Sequence, residues 1–515
     1  MPPWQRWNRR VLVNRRVPVR RAVITPLNRT FIEPGFPRTA LHRKVRYDER
    51  VPTYHVENFG CRATQADGAT IERQFEIRGL SRAAAVQADL VILNTCTVTN
   101  SADQDARAAI RRVRRQNPAA EIIVTGCYAQ RAPEEIAALP GVSAVIGNSH
   151  KHQLAEIVLR SQNSREALLP TAALAENWQG RIQNSIHVSD IFAHTELLAA
   201  PVFDTATRTR PNLKVQDGCD NRCSFCVIPS VRGQSRSLPL EKVIDEVNDL
   251  VTVGYRELVI SGINLGRWGR DLRSESQEFT ALIRAILDRT ELQKLRISSV
   301  EPMDWTDELI HLAAQSSRIA KHAHVPLQSG SDSVLRRMHR KYRPWHYREK
   351  ILKIRAAMPD AAIGADVMVG FPGENDAEFE CTRRLIEELP FTYLHVFTYS
   401  PRPGTPAASM REQVPLHLAR ARNKILRDLA AEKKRLFMCG FVGKKMEAIT
   451  LTSSLGSNHL GSSHKENYDE TGMLFTEALT DNYQKLFLRG RHAPNQWLAV
   501  RIDDIQGESF IGHLG

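Results

Sequence analysis

The chain has 515 residues, of which 42% are hydrophobic and 25% are charged. A chain of this length is too long for one hydrophobic core and predicts several domains. Eight cysteines are too few for a disulfide scaffold, and no apolar run approaches the roughly 20 residues needed to cross a bilayer. Composition therefore favours a globular protein without a membrane partner.

The net charge of +14 is concentrated at the amino terminus. Residues 1–50 carry 13 Lys and Arg against three acids, whereas the other 465 residues carry a charge of only +4. Because this segment has no sustained period and no apolar core of a secretory signal, it predicts a basic, disordered extension. An RNA-contacting arm and a wrongly assigned start are the alternatives. The charge alone therefore does not identify a nucleic-acid partner.

Residues 51–150 alternate between strand and helix patterns. Strands are predicted at 54–59, 90–93, 122–124 and 144–146, and helices at 67–78, at 102–115 and from Pro133. Such alternation predicts an N-terminal parallel α/β domain. Residues 151–205 give weaker signals and are interpreted as a connector.

A second alternating series fills residues 206–437. Its strands are predicted near 213–216, 257–261, 295–300, 324–327, 363–369 and 393–398, with the clearest helices at 240–252, 278–288, 345–357 and 376–388. Six β/α units predict a partial (β/α)6 barrel rather than a closed eightfold one. After a basic amphipathic helix at 416–437, residues 438–515 predict a small β-barrel of short strands. The predicted fold class is α/β with this C-terminal barrel.

Three closely spaced cysteines follow the first strand of the second series: Cys219, Cys223 and Cys226. Structural zinc normally takes four ligands, and no fourth Cys or His stands nearby at suitable spacing. A 4Fe–4S cluster held by three thiolates instead keeps one iron open to a small molecule. The spacing favours such a cluster, with structural zinc as the alternative.

This C-x3-C-x2-C motif at the end of a first β/α unit closely resembles the radical S-adenosylmethionine superfamily. The resemblance implies that a reduced cluster splits S-adenosylmethionine into a 5′-deoxyadenosyl radical, while the protein binds, orients and excludes water. Polar residues end the later strands, where barrel enzymes place their sites. The residues expected to bind S-adenosylmethionine are Ser261, Gly262, Glu301, Gln328 and Asp366. Turn chemistry is the alternative for each of them.

A second set of cysteines follows three strands of the N-terminal domain. Cys61, Cys96 and Cys127 each come directly after a predicted strand. If these strands are parallel with right-handed crossovers, the three thiols emerge at one edge of the sheet. This predicts a second cluster with an open iron; three buried, inert cysteines are the alternative. Thiols in two groups of three are typical of metal ligation in a reducing cytoplasm, and Cys381 and Cys439 are expected to be inert.

Two such sets in this order resemble the methylthiotransferases over about residues 52–435. The resemblance implies two 4Fe–4S clusters and two molecules of S-adenosylmethionine, one to methylate a sulfur on the second cluster and one to activate a carbon–hydrogen bond. Segments 57–64, 94–103, 126–130 and 223–236 are most similar to the bacterial branch acting on N6-threonylcarbamoyladenosine at position 37 of tRNA. The alternatives are isopentenyladenosine in tRNA, a ribosomal-protein aspartate, and a non-catalytic RNA-binding metalloprotein.

The tail resembles a TRAM domain, a small RNA-binding β-barrel, in segments 442–445, 480–485 and 510–514, although the Ser/Gly/Asn-rich stretch 453–464 departs from the compact pattern. The residues expected to bind RNA are Lys444, Lys445, Tyr483, Lys485 and Arg489. An ordinary charged barrel surface is the alternative. The implied partners are tRNA, S-adenosylmethionine, an electron donor such as flavodoxin or ferredoxin, and a sulfur source, all in the cytoplasm.

Overall fold

The computed structural model of the protein describes residues 51–160, 185–194, 197, 209–272, 277–452 and 474–515. The predicted basic extension, most of the predicted connector and the stretch 453–464 lie outside these residues. None of the described helices is both long enough and apolar enough to span a bilayer.

A parallel sheet of six strands, in the order β2-β1-β3-β4-β5-β6, forms the first part of the fold. Its strands are β1 (Thr53–Asn58), β2 (Ser81–Arg82), β3 (Leu90–Thr95), β4 (Glu121–Gly126), β5 (Val142–Gly147) and β6 (Ser185–His187). Its helices are α1 (Arg62–Glu76), α2 (Asn100–Gln116), α3 (Cys127–Arg131), α4 (Pro133–Ala137) and α5 (Leu154–Arg160). Every residue of β3 is buried because helices cover both faces of the sheet.

Two features of this sheet differ from the sequence interpretation. Helix α1 begins at Arg62, five residues before the predicted start, and its N-cap residue Cys61 makes no side-chain capping hydrogen bond. Without a capping Ser, Thr, Asp or Asn, the start carries no sequence signal. The strand β6 lies within the predicted connector and pairs with β5; three residues are too few to show a strand period.

The second part is an open barrel of six parallel strands. These are β7 (Asn212–Asp217), β9 (Glu257–Gly262), β10 (Lys294–Ile297), β11 (His322–His324), β12 (Ala362–Val369) and β13 (Tyr393–Thr398), while the short β8 (Arg236–Ser237) pairs antiparallel with β7. Two isolated parallel bridges, Leu295–Ile319 and Ser299–His324, connect the sheet β10-β9-β7-β8 to the segment that contains β11 of the sheet β11-β12-β13. Within the described residues β7 and β13 are not paired, so the barrel is open on that side. The predicted partial (β/α)6 barrel is confirmed.

Helices cover the outside of this barrel and enclose the largest hydrophobic cluster among the described residues. They are α6 (Ile228–Arg232), α7 (Leu240–Thr252), α8 (Phe279–Arg289), α9 (Asp307–Gln315), α10 (Asp332–Arg337), α11 (Pro344–Ala357) and α12 (Asp376–Glu388). The long helix α13 (Leu416–Cys439) packs on β13 and leads into the last part of the fold.

A closed five-stranded barrel ends the chain, in the order β14-β15-β16-β18-β17. Its strands are β14 (Lys445–Thr450), β15 (Phe475–Thr480), β16 (Lys485–Arg489), β17 (Trp497–Gln506) and β18 (Ser509–Leu514). Inward-facing apolar side chains alternate along the strands, as Leu486 and Leu488 do in β16, and fill its core. The predicted small β-barrel is confirmed.

Candidate active site

The loop that carries the first three cysteines is fixed by its backbone. Gly218, which directly follows β7, has a φ of 72°, and a Cβ there would lie 1.8 Å from the carbonyl oxygen of Gln234. Only glycine fits this position. The Cys219 amide then donates to the carbonyl of Gly233 at 3.1 Å. The three thiols therefore start from a rigid strand end.

Two side chains point donors at sulfurs of this loop. Arg340 Nη1 lies 3.3 Å from Cys223 Sγ, and Asn264 Nδ2 lies 3.7 Å from Cys219 Sγ. Arg340 also pairs with Glu301. Donors of this kind stabilise a thiolate and tune the potential of a cluster that it binds. The sequence interpretation did not single out Arg340 or Asn264, because neither type nor spacing ties them to the cysteine motif.

The second set of cysteines lies at the carboxyl edge of the first sheet. Strands β1, β3 and β4 end side by side, since Asn94 of β3 is in register with Asn58 of β1 and Thr95 is in register with Gly126 of β4. Their thiols are close together: burial, followed by the thiols of Cys127 and Cys61, raises the pKa of Cys96 to about 12. The structure thus places three cysteines from distant parts of the sequence in one group.

The spacing and number of thiols in each cysteine set bear on the metal group that it could bind. A tetrahedral zinc site, with Zn–S distances of about 2.3 Å, holds its sulfurs about 3.8 Å apart. Within the described part of the chain, neither set has its three sulfurs all within 4.8 Å of one another. Three thiolates are the number that holds a 4Fe–4S cluster with one iron open.

Helix α6 lies between the two sets. Val227 directly follows Cys226 of the first set, and Val227 and Val231 pack against Cys127 of the second. Asn148 adds a polar link, since its Nδ2 donates to the carbonyl of Val231 at 2.8 Å and lies 3.6 Å from Cys127 Sγ. The two cysteine sets therefore flank one short helix.

The first sheet closes the open side of the barrel and is bound at both edges. Next to β13, the buried Arg402 donates to Thr97 Oγ1 at 2.7 Å and to Asp103 Oδ2 at 2.6 Å. Next to β7, Arg232 donates to Asp67 Oδ2 at 2.8 Å. Asp103 and Asp67 belong to α2 and α1, so two helices of the first sheet are anchored across the opening. The second cysteine set consequently faces the barrel.

The β7 edge contains a buried group of five charges, which we call the Asp67 cluster: Asp67, Lys151, Lys214, Asp217 and Arg232. Lys151 Nζ lies 2.9 Å from Asp67, Lys214 bonds both Asp67 and Asp217, and Arg232 bridges the two carboxylates. Burial alone would raise the pKa of Asp67, but the three cations hold it well below its ordinary value. The cluster lines a cavity of about 260 Å³.

Arg232 links this cluster to the second cysteine set. Burial alone would lower its pKa, but Asp217, followed by Cys127, Asp67 and Cys61, raises it well above its ordinary value. At Cys96, whose pKa is raised chiefly by burial, Arg232 acts in the opposite direction. Because metal binds the thiolate form of cysteine, this guanidinium opposes the effect of burial on metal binding there. Only the fold reveals this role, since the sequence shows Arg232 as one basic residue among several.

The five residues expected to bind S-adenosylmethionine lie around the barrel interior. Glu301 lies beside the first cysteine set, because its partner Arg340 contacts Cys223. The backbone amide of Gln328 donates to the carbonyl of Asp366 at 2.8 Å, so these two are neighbours.

The other two of these residues end strand β9. Ser261 Oγ is buried and has no hydrogen-bond partner within the described residues. A Cβ on Gly262 would lie 2.9 Å from Gln216 Oε1, so the glycine permits close packing. A buried hydroxyl without a partner is free to bond a ligand.

The five residues expected to bind RNA do not form one surface. Tyr483 points into the barrel, where its hydroxyl accepts from Arg62 Nη2 at 2.7 Å and its ring lies 4.8 Å from the His322 ring. It is thus not an exposed stacking platform, because the turn before β16 directs it inwards. Lys485 is exposed and, with Tyr483, lines a groove of about 890 Å³ between α13 and the C-terminal barrel.

The remaining three predicted RNA-binding residues, Lys444, Lys445 and Arg489, are exposed but do not line this groove. The opposite wall is basic instead: Arg420, Lys424 and Arg427 of α13 line it. Their spacing of four and three residues places them on one helix face. The sequence interpretation noted this basic helix but did not assign it a partner.

Comparison with known proteins identifies the family. The uncharacterized protein family UPF0004 matches residues 53–147, and the radical SAM superfamily matches residues 213–386. The threonylcarbamoyladenosine tRNA methylthiotransferase MtaB of Bacillus subtilis is 36% identical over 440 residues, which cover 85% of this chain and 90% of that protein. The chain belongs to the radical SAM methylthiotransferase family. The predicted enzyme class, S-adenosylmethionine and a 4Fe–4S cluster are thereby confirmed.

The similar proteins include methylthiotransferases whose names give two different tRNA nucleosides as substrates. MtaB of Rickettsia prowazekii is 36% identical over 414 residues, 80% of this chain and 89% of that protein. The tRNA-2-methylthio-N(6)-dimethylallyladenosine synthase of Erythrobacter litoralis is 34% identical over 405 residues, 77% of this chain and 86% of that protein. The sequence identity to the MtaB relatives therefore differs only slightly from the identity to the dimethylallyladenosine synthase.

Proposed function

We propose that this enzyme converts N6-threonylcarbamoyladenosine at position 37 of the tRNA anticodon loop to its 2-methylthio derivative, with two molecules of S-adenosylmethionine. The observation that carries the proposal is the 36% identity to MtaB of Bacillus subtilis across 85% of the chain. The arrangement of two three-cysteine sets around one barrel supports it. Because the substrate would be tRNA, we also place the enzyme in the cytoplasm.

Six thiolates would hold the two clusters. Cys219, Cys223 and Cys226 would bind the first, and Cys61, Cys96 and Cys127 the second. When bound, the first cluster with S-adenosylmethionine supplies radical chemistry and the second supplies the sulfur. The chain would position both, since close backbone packing fixes the loop after Gly218 and strand pairing fixes the edge of the first sheet. An electron donor such as flavodoxin or ferredoxin and a sulfur source are needed in addition.

The protein's own side chains would bind the nucleoside of S-adenosylmethionine and exclude water. Ser261 and Glu301 lie where barrel strands end towards the first cysteine set, and they offer a hydroxyl and a carboxylate to ribose or amino groups. The anchors at Asp67 and Asp103 hold the first sheet over the barrel opening. A closed interior protects a reactive carbon radical from side reactions.

The groove between α13 and the C-terminal barrel would bind the anticodon loop. Arg420, Lys424 and Arg427 on one wall and Lys485 on the other present positive charge to phosphates. The inner end of the groove is lined by Tyr393, His395 and Tyr483. A base turned out of the loop would pass from the phosphate-binding wall towards the barrel interior. The first sheet would thus carry the sulfur donor, the open barrel the radical source, and the C-terminal barrel with α13 the RNA-binding surface.

Nucleoside mass spectrometry of tRNA from a deletion strain tests the substrate. We expect the 2-methylthio derivative of threonylcarbamoyladenosine to disappear while threonylcarbamoyladenosine itself remains, and the wild-type gene but not a Cys96→Ala variant to restore it. Loss of the isopentenyladenosine derivative, or of a modified ribosomal-protein aspartate with unchanged tRNA, would contradict the proposal.

A further inference from the structure

Strongly polar side chains fill the base of the barrel interior, near the inner end of the groove. Tyr393 and His395, two residues apart on β13, point to the same side. A hydrogen bond of 2.7 Å connects His322 Nε2 to the Tyr393 hydroxyl. Tyr483 closes this base from the C-terminal barrel, with its ring 4.8 Å from the His322 ring. All three parts of the fold meet here, because Arg62 of α1 also bonds Tyr483.

Three guanidinium groups surround the Tyr483 ring, and two of them share the carboxylate of Glu257. Glu257 is fully buried and accepts from Arg296 Nε at 2.7 Å and from Arg210 Nη1 at 3.5 Å. Two guanidinium groups thus share one carboxylate. The guanidinium of Arg296 lies 5.0 Å from the centre of the Tyr483 ring, and that of Arg210 lies 5.8 Å from it. Arg62 adds a third guanidinium at 5.8 Å from the same ring. The base of the interior is therefore suited to an anionic ligand.

Arg62 is the one of these three guanidinium groups that has no carboxylate partner within the described residues, since Arg210 and Arg296 both pair with Glu257. Its Nη2 donates to the Tyr483 hydroxyl at 2.7 Å, and no carboxylate of the described chain lies within 4.0 Å of its guanidinium. The Arg62 carbonyl accepts from Asn212 Nδ2 at 2.8 Å, which ties its backbone to β7. A guanidinium has five N–H donors, so most of those on Arg62 remain for a ligand.

The position of Arg62 in the sequence relates it to the reaction. It directly follows Cys61, a proposed ligand of the sulfur-donating cluster. In adenine, the C2 that receives sulfur and the C6 that carries the N6 substituent are both bonded to N1. A substituent on N6 must consequently lie close to the sulfur donor when C2 does. A residue next to Cys61 is therefore well placed to contact it.

The two candidate substituents differ in charge. The threonylcarbamoyl group ends in a carboxylate, whereas the isopentenyl group is a hydrocarbon. We propose that Arg62, oriented by Tyr483, binds the carboxylate of the N6 substituent and so selects threonylcarbamoyladenosine over hydrocarbon-substituted adenosine. The inference rests on the proposed function and deepens it, since it names the residues that recognise the substituent. A hydrocarbon at this position would leave Arg62 without its partner, and such loss of pairing is the strongest source of discrimination in polar sites.

The test compares Arg62→Gln with Arg284→Gln, an exposed arginine on α8 that pairs with Glu308 on the outside of the barrel. Reconstituted enzymes bind fluorescent anticodon stem-loops that carry threonylcarbamoyladenosine, its threonine methyl ester, isopentenyladenosine or unmodified adenosine at position 37. The methyl ester removes the charge from the substituent alone. Iron content is measured for each protein, because Arg62 adjoins Cys61.

We expect the wild type and Arg284→Gln to bind the acid form about ten-fold or more tightly than the methyl ester, the range for a hydrogen bond to a charged group. Arg62→Gln should lose this preference and keep its affinity for the unmodified loop. Equal affinity of the wild-type enzyme for acid and ester, or an unchanged preference in Arg62→Gln, would overturn the inference. If Arg62→Gln fails to bind iron, the comparison of acid and ester in the wild-type enzyme still tests recognition of the carboxylate, because equal affinity there overturns the inference.

The failure of this inference can be told apart from the failure of the proposed function. If the wild-type enzyme methylthiolates the threonylcarbamoyladenosine loop without any acid-over-ester preference, the function stands and the role of Arg62 is refuted. If it methylthiolates only the isopentenyladenosine loop, the proposed function itself is refuted.

Discussion

Replacement of Asp67 by asparagine tests whether the Asp67 cluster joins the first sheet to the barrel. Asp67 is 3% exposed and is bonded by Lys151, Lys214 and Arg232. The asparagine would retain the shape of the side chain but leave three buried cations with only Asp217 as a counter-charge. Removing one partner of a buried ion pair costs about 3–5 kcal/mol, because the remaining charges are left uncompensated. We expect a loss of this size in the free energy of unfolding at pH 7.

The pH dependence of this loss follows from the direction of the pKa shift. The three cations hold the pKa of Asp67 in the folded protein well below its ordinary value of 3.8. A carboxyl whose pKa is lowered by folding stabilises the folded state fully above its unfolded pKa, and that stabilisation is lost as the pH falls through the folded pKa. The difference between wild type and Asp67→Asn should thus be constant from about pH 5 to 7 and shrink below about pH 4.

Anaerobic urea unfolding of the reconstituted enzyme measures the effect, with Glu76→Gln as the matched control. Glu76 lies on the same helix and pairs with Arg82 at 2.8 Å, but its side chain is 44% exposed, so its loss should cost less than about 1 kcal/mol. If Asp67→Asn costs no more than this control, the Asp67 cluster does not hold the two parts together. A loss that grows as the pH falls would likewise refute the reasoning.

Three further predictions concern the clusters and the groove. Cys96→Ala should lower the iron content from about eight to about four atoms per chain, whereas Cys381→Ala should leave it unchanged; equal iron in both variants would contradict a second cluster. Arg340→Gln removes a charged donor to a cluster thiolate and should lower the reduction potential of the first cluster by about 50 mV. An anaerobic redox titration followed by electron paramagnetic resonance measures this potential. An unchanged potential would argue against this contact. Lys424→Glu should weaken the binding of all tRNA sequences alike and reduce the slope of log affinity against log salt concentration by about one or more. Lys242→Glu on α7 should change neither quantity. A loss of affinity for one tRNA only would refute a phosphate contact.

The strand ends that carry cysteines were predictable from the sequence. Parallel strands such as β3 and β4 are buried on both faces, so each appears in the sequence as a short apolar run that ends just before a cysteine. The rule that polar and ligating residues gather at carboxyl ends then places Cys61, Cys96 and Cys127 together. This part of the candidate site needs only the order of the elements.

The side chains that connect the parts of the fold were not predictable. Lys214 and Asp67 are 147 residues apart in the sequence, and Arg402 and Thr97 are 305 apart. Each is one charged or polar residue among many, and no period or motif relates the partners. Arg62 was missed as a functional residue for the same reason, and also because α1 starts without a capping signal. Contacts between separate sheets depend on the docking of those sheets, which local patterns do not encode.

Helix α6 connects the two cysteine sets and would fix the spacing of the two proposed clusters. It is covalently continuous with the first set, since Val227 follows Cys226, and it packs on the second set through Cys127. Its last residue, Arg232, binds the carboxylates of α1 and β7 at once. A shift of the first sheet relative to the barrel would have to break these buried ion pairs, at a cost of several kcal/mol. Under the proposed function, the distance between the radical source and the sulfur donor would therefore be set by the short run from Val227 to Arg232, and not by the much longer connection between the two sheets.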